Sequence, residues 1–139
     1  MRPTNEKKKS WKMKIKITGL DKKFSQYIRS RDGWKCQRCF KQYKPPTSGL
    51  HNSHFWGRRN KSVRFDPENC VALCYGCHSH FTANPVLHRA FFLKRLGENR
   101  YNALMIRANT PKKPDYEMIN LWLSQELKNK SIAKKECQK

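Results

Sequence analysis

Four cysteines in two short pairs, Cys36-x-x-Cys39 and Cys74-x-x-Cys77, bracket a histidine, His54, and a second histidine, His78, directly follows the last cysteine. Paired thiolates at this spacing suit one tetrahedral zinc ion with Zn–S distances of about 2.3 Å, because each pair sits on a turn that aims two sulfurs at one point. With all four positions filled by sulfur the ion is closed to substrate. Its contribution is structural, on the order of 10 kcal/mol of folding energy in small zinc peptides. Chemistry therefore needs a second site, and the histidines supply it. Taken alone, a histidine such as His54 or His78 is more often structural than functional. Their conjunction with Asn69, just ahead of the strand that leads into the second cysteine pair, points to a reaction centre.

The elements that position these residues belong to a small chain. At 139 residues it amounts to one domain with a tail at each end, and a hydrophobic fraction of 37% fills its core thinly. A metal staple is what such a core needs. The charge balance is extreme, 31 basic against 10 acidic residues for a net +21. Self-repulsion of that size implies a polyanionic partner, DNA or RNA. Charge alone does not separate an enzyme from a ribosomal, histone-like or membrane-surface protein. No apolar run approaches the ~20 residues of a membrane span. The first ten residues lack the apolar core of a signal peptide. A reducing cytoplasm without membrane attachment is the expected setting, where closely paired cysteines signal metal rather than disulfide. Cys70, in an apolar run, reads as a buried small hydrophobe, and Cys137 as incidental.

Residues 1–19 read as a basic arm, ending in a period-two stretch at residues 11–17 with a lysine face. That face either protects an edge strand or contacts phosphate. Asp21 is placed to cap an amphipathic helix carrying Phe24, Tyr27, Ile28 and Arg31, which Asp32-Gly33 stops. Residues 51–56 suit a strand, residues 57–61 a basic turn, Val63-Arg64-Phe65 a short extended piece, and Cys70-Val71-Ala72-Leu73 a second strand. A short helix from Tyr75 gives way at Asn84-Pro85 to a second, and a third runs from Glu98 to Ala108. Residues 20–108 form the central unit and residues 109–139 a linker with a last helix and basic tail. That helix is capped by Asp115, carries Tyr116, Ile119, Trp122, Leu123 and Leu127 as a core or dimer stripe, and frays past Lys128.

The pattern His54 … Asn69 … Cys74-x-x-Cys77-His78, framed by Cys36-x-x-Cys39, resembles the HNH endonucleases. More narrowly, the helix around Phe24 to Arg29, Ser53-His54-Phe55, Arg64-Phe65-Asp66-x-x-Asn69, the second cysteine pair and Asn84 are similar to the phage NinG/Rap recombination proteins. The resemblance implies an α+β fold: a zinc-stapled ββα-metal core with flanking helices. It implies a DNA endonuclease acting on branched recombination DNA such as a Holliday junction, in a bacterial or phage-infected cytoplasm. A homodimer would suit the two cuts a junction needs. His54 would be the general base, with a pKa near 6.5 matched to neutral pH. Asn69 would orient it through a backbone carbonyl, and His78 would ligate a catalytic Mg²⁺ or Mn²⁺. Arg58, Arg59, Lys61 and Arg64 are the phosphate-contacting candidates, with a solvated basic turn as the other reading of Arg58 and Arg59.

The sequence departs from many HNH enzymes just before the base. An acid or histidine ligand is common there, and here the residue is Ser53. His51, His80 or Asp66 would then complete the ion's shell beside phosphate and water. His88, on the next helix, reads as a surface or phosphate-facing residue. The alternatives are a less structure-selective nicking endonuclease of phage type and a zinc-knuckle nucleic-acid-binding protein without catalysis. Trp11, Trp34 and Trp56 would serve the latter equally well.

Overall fold

The computed structural model describes residues 16–137. Most of the basic arm and of the alternating stretch expected at residues 11–17 lies outside them. In chain order come α1 (Gly19–Arg31), β1 (Leu50–His54), a 3-10 turn (Pro67–Asn69), β2 (Cys70–Cys74), α2 (Tyr75–Ala83), α3 (Pro85–Leu96), α4 (Glu98–Ala108) and α5 (Tyr116–Cys137). This is a small α+β fold whose β1–β2–α2 unit is a ββα-metal-like core stapled by the cysteine cluster.

Thr18, not Asp21, caps α1. The Asp21 N–H donates to Thr18 Oγ1 at 3.3 Å, and the Asp21 carboxylate accepts from the Thr18 N–H at 2.7 Å. This reciprocal box satisfies two donors at once, which lets Gly19 and Leu20 join the first turn. Phe24 and Ile28, four apart, are buried against Phe65, Cys70 and Leu123 of α5. Burial of a side chain of this size stabilises by roughly 1.5–3 kcal/mol.

β1 and β2 pair antiparallel from Leu50↔Cys74 to His54↔Cys70. Val71, Ala72 and Leu73 are all fully buried, because α1 and α2 both pack on the hairpin. That covering explains a continuous apolar run where a half-exposed strand would alternate. Cys70 is buried as expected. Asp32 ties the layers together: its carboxylate accepts from the Ala72 N–H at 2.8 Å and pairs with Arg31 and Arg95 at 2.9 and 3.0 Å.

Two further sequence expectations change. Residues 63–65 form tight turns rather than an extended piece, with the Val63 N–H donating to the Asn60 carbonyl and the Asp66 N–H to the Val63 carbonyl. α5 continues past Lys128 to Cys137, consistent with a tail of Lys, Ala and Glu that favours helix. Its apolar stripe packs on α1 through Ile119, Trp122 and Leu123, with the Trp122 ring edge-on to Tyr27 at 4.9 Å, while Tyr116 stays exposed. Between α3 and α4 the chain turns at Gly97, whose φ of 79° is the left-handed region that glycine enters without a Cβ penalty. Among the described residues no helix is long and apolar enough to cross a membrane.

Candidate active site and metal centres

The zinc knuckle is built from two turns. After α1, Trp34 and Phe40 take positive φ values of 56° and 64°, and the Phe40 N–H donates to the Cys36 carbonyl, folding Cys36 and Cys39 onto one side. Cys74 ends β2 and is the N-cap of α2, and Cys77 lies in that helix's first turn. All four sulfurs lie within 4.8 Å of one another, and Cys39 Sγ is 3.8 Å from Cys74 Sγ. A tetrahedron with Zn–S bonds of about 2.3 Å has edges of about 3.8 Å. The donor set therefore fits a structural zinc ion.

His54 ends β1. Its Nε2 lies 3.0 Å from the Arg64 carbonyl oxygen. A carbonyl only accepts, so Nε2 carries the hydrogen and Nδ1 keeps the lone pair in the neutral ring. Burial, reinforced by the Arg58 and Arg64 charges, lowers its pKa to about 4, against the opposing pull of the carbonyl and Asp21. The imidazole is thus neutral well below the pH expected from sequence. It lines a groove of about 650 Å³ with Trp56, Phe81, Thr82 and Arg89.

Asn69 sits just below, fully buried. Its Oδ1 accepts from the Trp56 N–H at 2.8 Å, and its Nδ2 donates to the carbonyls of Trp56 and Val63 at 2.9 and 3.0 Å. Its own carbonyl accepts from the Phe55 N–H at 2.8 Å. One amide side chain thereby joins both ends of the loop that carries the Arg64 carbonyl.

His78 does not touch His54; it meets His51, with the two Nδ1 atoms 3.1 Å apart. Strand alternation puts His51 and Ser53 on the face that α2 covers, and Asn52 and His54 on the other. His54 accordingly neighbours Phe24 of α1, with ring centroids 6.2 Å apart. The two histidine sites adjoin at Thr82, which lines the groove of each. The Arg58 charge acts on both His54 and His78. Ser53 Oγ is buried without a hydrogen-bond partner. Asp66 is committed to Arg107 at 2.7 Å and to capping the 3-10 turn.

The basic residues divide. Arg64 faces inward, its Nε and Nη2 gripping the Asp21 carboxylate at 3.0 and 2.7 Å. Burial would raise the Asp21 pKa, but the bonds from Arg64 and Thr18 outweigh it and hold the carboxyl below its usual range. Arg58 is half-buried, 3.9 Å from the same carboxylate. Arg59 and Lys61 are exposed and share a groove of about 730 Å³ with Lys112 and Lys113. The linker carrying these lysines is stitched to the basic turn by Asn60 Nδ2 to the Ala108 carbonyl and Ser62 Oγ to the Thr110 carbonyl, both 2.8 Å. Lys112 and Lys113 were not singled out from sequence; Pro111-Lys-Lys-Pro114 is the signal that marks them.

His88 is half-buried and lines the same groove as His54. It stacks on Phe81 with centroids 5.0 Å apart and meets Phe55 and Phe92 edge-on, and burial lowers its pKa to about 4.

The family model described as Bacteriophage Lambda NinG protein matches residues 2–136. No curated protein and no solved structure matches. Coverage of nearly the whole sequence, together with the metal-binding cysteine cluster, makes this a metal-dependent endonuclease of the HNH-like kind, and the chain belongs to the NinG family.

Proposed function

We propose that the protein hydrolyses phosphodiesters of branched recombination DNA, such as a four-way junction, using one catalytic Mg²⁺ or Mn²⁺ held by His51 and His78. The observation that carries this reading is the 3.1 Å separation of their Nδ1 atoms. Two lone pairs at that distance repel unless a proton or a cation lies between them. Neighbouring ligands of an octahedral ion with bonds of about 2.1 Å are roughly 3.0 Å apart, so the pair fits. His51 also answers the departure at Ser53: two residues earlier on the same strand face, it offers the ligand that serine lacks.

When bound, such an ion supplies Lewis-acid stabilisation of the charge developing on the phosphate and the leaving oxygen. The chain's own residues do the rest. His54 Nδ1 takes a proton from the attacking water, and the Arg64 carbonyl holds the ring in the tautomer that leaves Nδ1 free. Asn69 fixes the loop bearing that carbonyl. Arg58, beside both histidine sites, grips the scissile phosphate, and Arg59, Lys61, Lys112 and Lys113 track the neighbouring backbone. Arg64 serves as a positioning residue. A junction requires two cuts, which a pair of copies would deliver.

The test is cleavage of supercoiled plasmid and of a synthetic four-way junction in Mg²⁺, Mn²⁺ or metal-free buffer, comparing the native sequence with His54→Ala. Metal-dependent cutting that favours the junction, abolished in a His54→Ala protein that still binds DNA, supports the reading. Equal cutting of both DNAs removes the branched substrate. Residual cutting by His54→Ala near the native rate removes the base.

A further inference from the structure

A second cleft lies between the C-terminal half of α1, the loop at Pro45-Pro46 and the distal part of α5. It encloses about 480 Å³ and is lined by Arg29, Lys130 and Lys134, by Gln26, Ser30 and Ser131, and by the ring of Trp34. Three cations and several neutral hydrogen-bonding side chains face it, and no carboxylate lines it. Glu126 and Asp32 are the acids whose charge reaches Lys130, and Asp32 is already committed to Arg31 and Arg95.

The cleft is organised before any ligand arrives. The Arg29 guanidinium lies 4.9 Å from the centroid of the Trp34 ring, and its Nη1 donates to the Thr47 carbonyl at 3.0 Å. The Lys130 ammonium lies 4.9 Å from the Tyr27 centroid. Burial lowers the pKa of both cations, the mark of charges held out of bulk water at a cost that an anion would offset. None of the lining residues belongs to the groove around His54 or to that around His51 and His78. Arg29 reaches the Leu50 carbonyl at the start of β1, whereas His54 stands at its end. Four residue steps of strand place the two roughly 13 Å apart.

We propose that this cleft is a second DNA-backbone site, which holds the phosphates of a duplex arm other than the one being cut. A groove that presents cations and hydroxyls without acids matches a phosphodiester chain, whose oxygens accept and whose charge repeats. The inference rests on DNA being the substrate, but its test does not require cleavage.

The experiment uses the full chain carrying His54→Ala, with and without Lys130→Gln and Lys134→Gln. Binding to a four-way junction and to a short linear duplex is measured across a salt series. Each lost phosphate contact lowers the slope of log K against log salt by about 0.9. The junction slope is expected to fall by about 1.8 and its affinity about tenfold or more, with the short duplex unchanged. Lys130→Glu with Lys134→Glu should deepen the same junction-specific loss, and thermal melting checks that each variant is folded. Equal losses on both DNAs would mean a general charge effect and overturn the proposal, as would an unchanged junction slope. Anionic vesicles and inorganic phosphate serve as competitors; displacement of the junction by millimolar phosphate alone would make the cleft a simple anion site and overturn the backbone assignment. If the native sequence cuts no DNA in any metal, the proposed function fails while this binding comparison still decides the cleft.

Discussion

His54 Nε2 stands 3.0 Å from the carbonyl oxygen of Arg64, so the backbone of the loop after β1 selects which imidazole nitrogen is free to act as base. The same ring is buried, and its pKa is lowered to about 4. A base works in its neutral form, and a lowered pKa keeps it neutral to lower pH. The acid limb of kcat/KM, which reports the free enzyme, should therefore lie well below the ordinary histidine range. Bound phosphate favours the imidazolium and raises the pKa, so the limb in kcat should sit at higher pH than that in kcat/KM. A pH series at saturating Mn²⁺, over the range in which circular dichroism is unchanged, checks both. An acid limb near 6.5 in kcat/KM would remove His54 as the group observed.

The cysteine cluster carries folding energy rather than chemistry. Cys36 and Cys77 are buried, and with Cys39 and Cys74 they present four sulfurs and no open position. Purified protein should contain one zinc per chain. Cys36→Ser should lose that zinc and most of the cooperative melt, since ~10 kcal/mol is comparable to the whole net stability of a small domain. Excess Mg²⁺ should not restore it, because a hard ion does not replace zinc in a shell of four thiolates. Zinc analysis with thermal melting is the measurement. Full activity and an unchanged melt in Cys36→Ser would refute a structural role.

Asn69 makes three side-chain hydrogen bonds at zero exposure. Asn69→Ala would leave the Trp56 N–H and two carbonyls buried without partners, at about 3 kcal/mol of stability. Because the loop it closes also holds His54, kcat should fall at least tenfold even at temperatures where the variant is folded, while zinc content stays at one. Urea titration and single-turnover cleavage separate the two effects. A stable variant with native kcat would show that the loop holds itself.

What was legible in the sequence was what depends on local spacing. The cysteine pairs and the limits of α3 and α4 at Pro85, Gly97 and Glu98 are written within a few residues of where they lie. Partners distant in the chain were not legible. Arg64 reads as one more phosphate-contacting cation, on a short extended piece, and nothing near it announces Asp21, 43 positions earlier. His88 looks like a polar residue on a helix, yet its aromatic neighbours come from α2 and α3 and from the residue after β1. The pairing of His51 with His78 depends on how α2 lies across the hairpin. From spacing alone His51, His80 and Asp66 stand level as companions of His78.

Arg64 and Arg59 should consequently behave as opposites. Arg64→Ala leaves the Asp21 carboxylate, which is 3% exposed, with only Thr18 and the more distant Arg58 as partners, and should cost about 1.5–3 kcal/mol. Adding Asp21→Ala should recover part of that loss. Arg59→Ala, at an exposed position, should stay within about 0.5 kcal/mol of native stability yet lower the salt slope of DNA binding by about 0.9. Chemical denaturation and salt-dependent binding on both variants make the comparison. A destabilised Arg59→Ala or a fully stable Arg64→Ala would overturn the division.

His51 and His78 decide between an ion and a hydrogen bond. If the 3.1 Å contact is only a shared proton, His51→Ala loses one exchangeable interaction and leaves the metal requirement of cleavage unchanged. If the pair holds the catalytic ion, removing one of two protein ligands must raise the Mn²⁺ concentration for half-maximal cleavage at least tenfold. Losing even an outer partner of a metal ligand costs about 10–100-fold. His51→Asp, which keeps an oxygen donor on the same strand face, should fall between the two. Zinc content should not change in either variant, because the cysteine sulfurs are not disturbed. Cleavage rates across an Mn²⁺ series, with zinc measured on the same samples, separate the cases: a shifted midpoint at constant zinc assigns the ion to the histidine pair, and an unmoved midpoint leaves it to other groups.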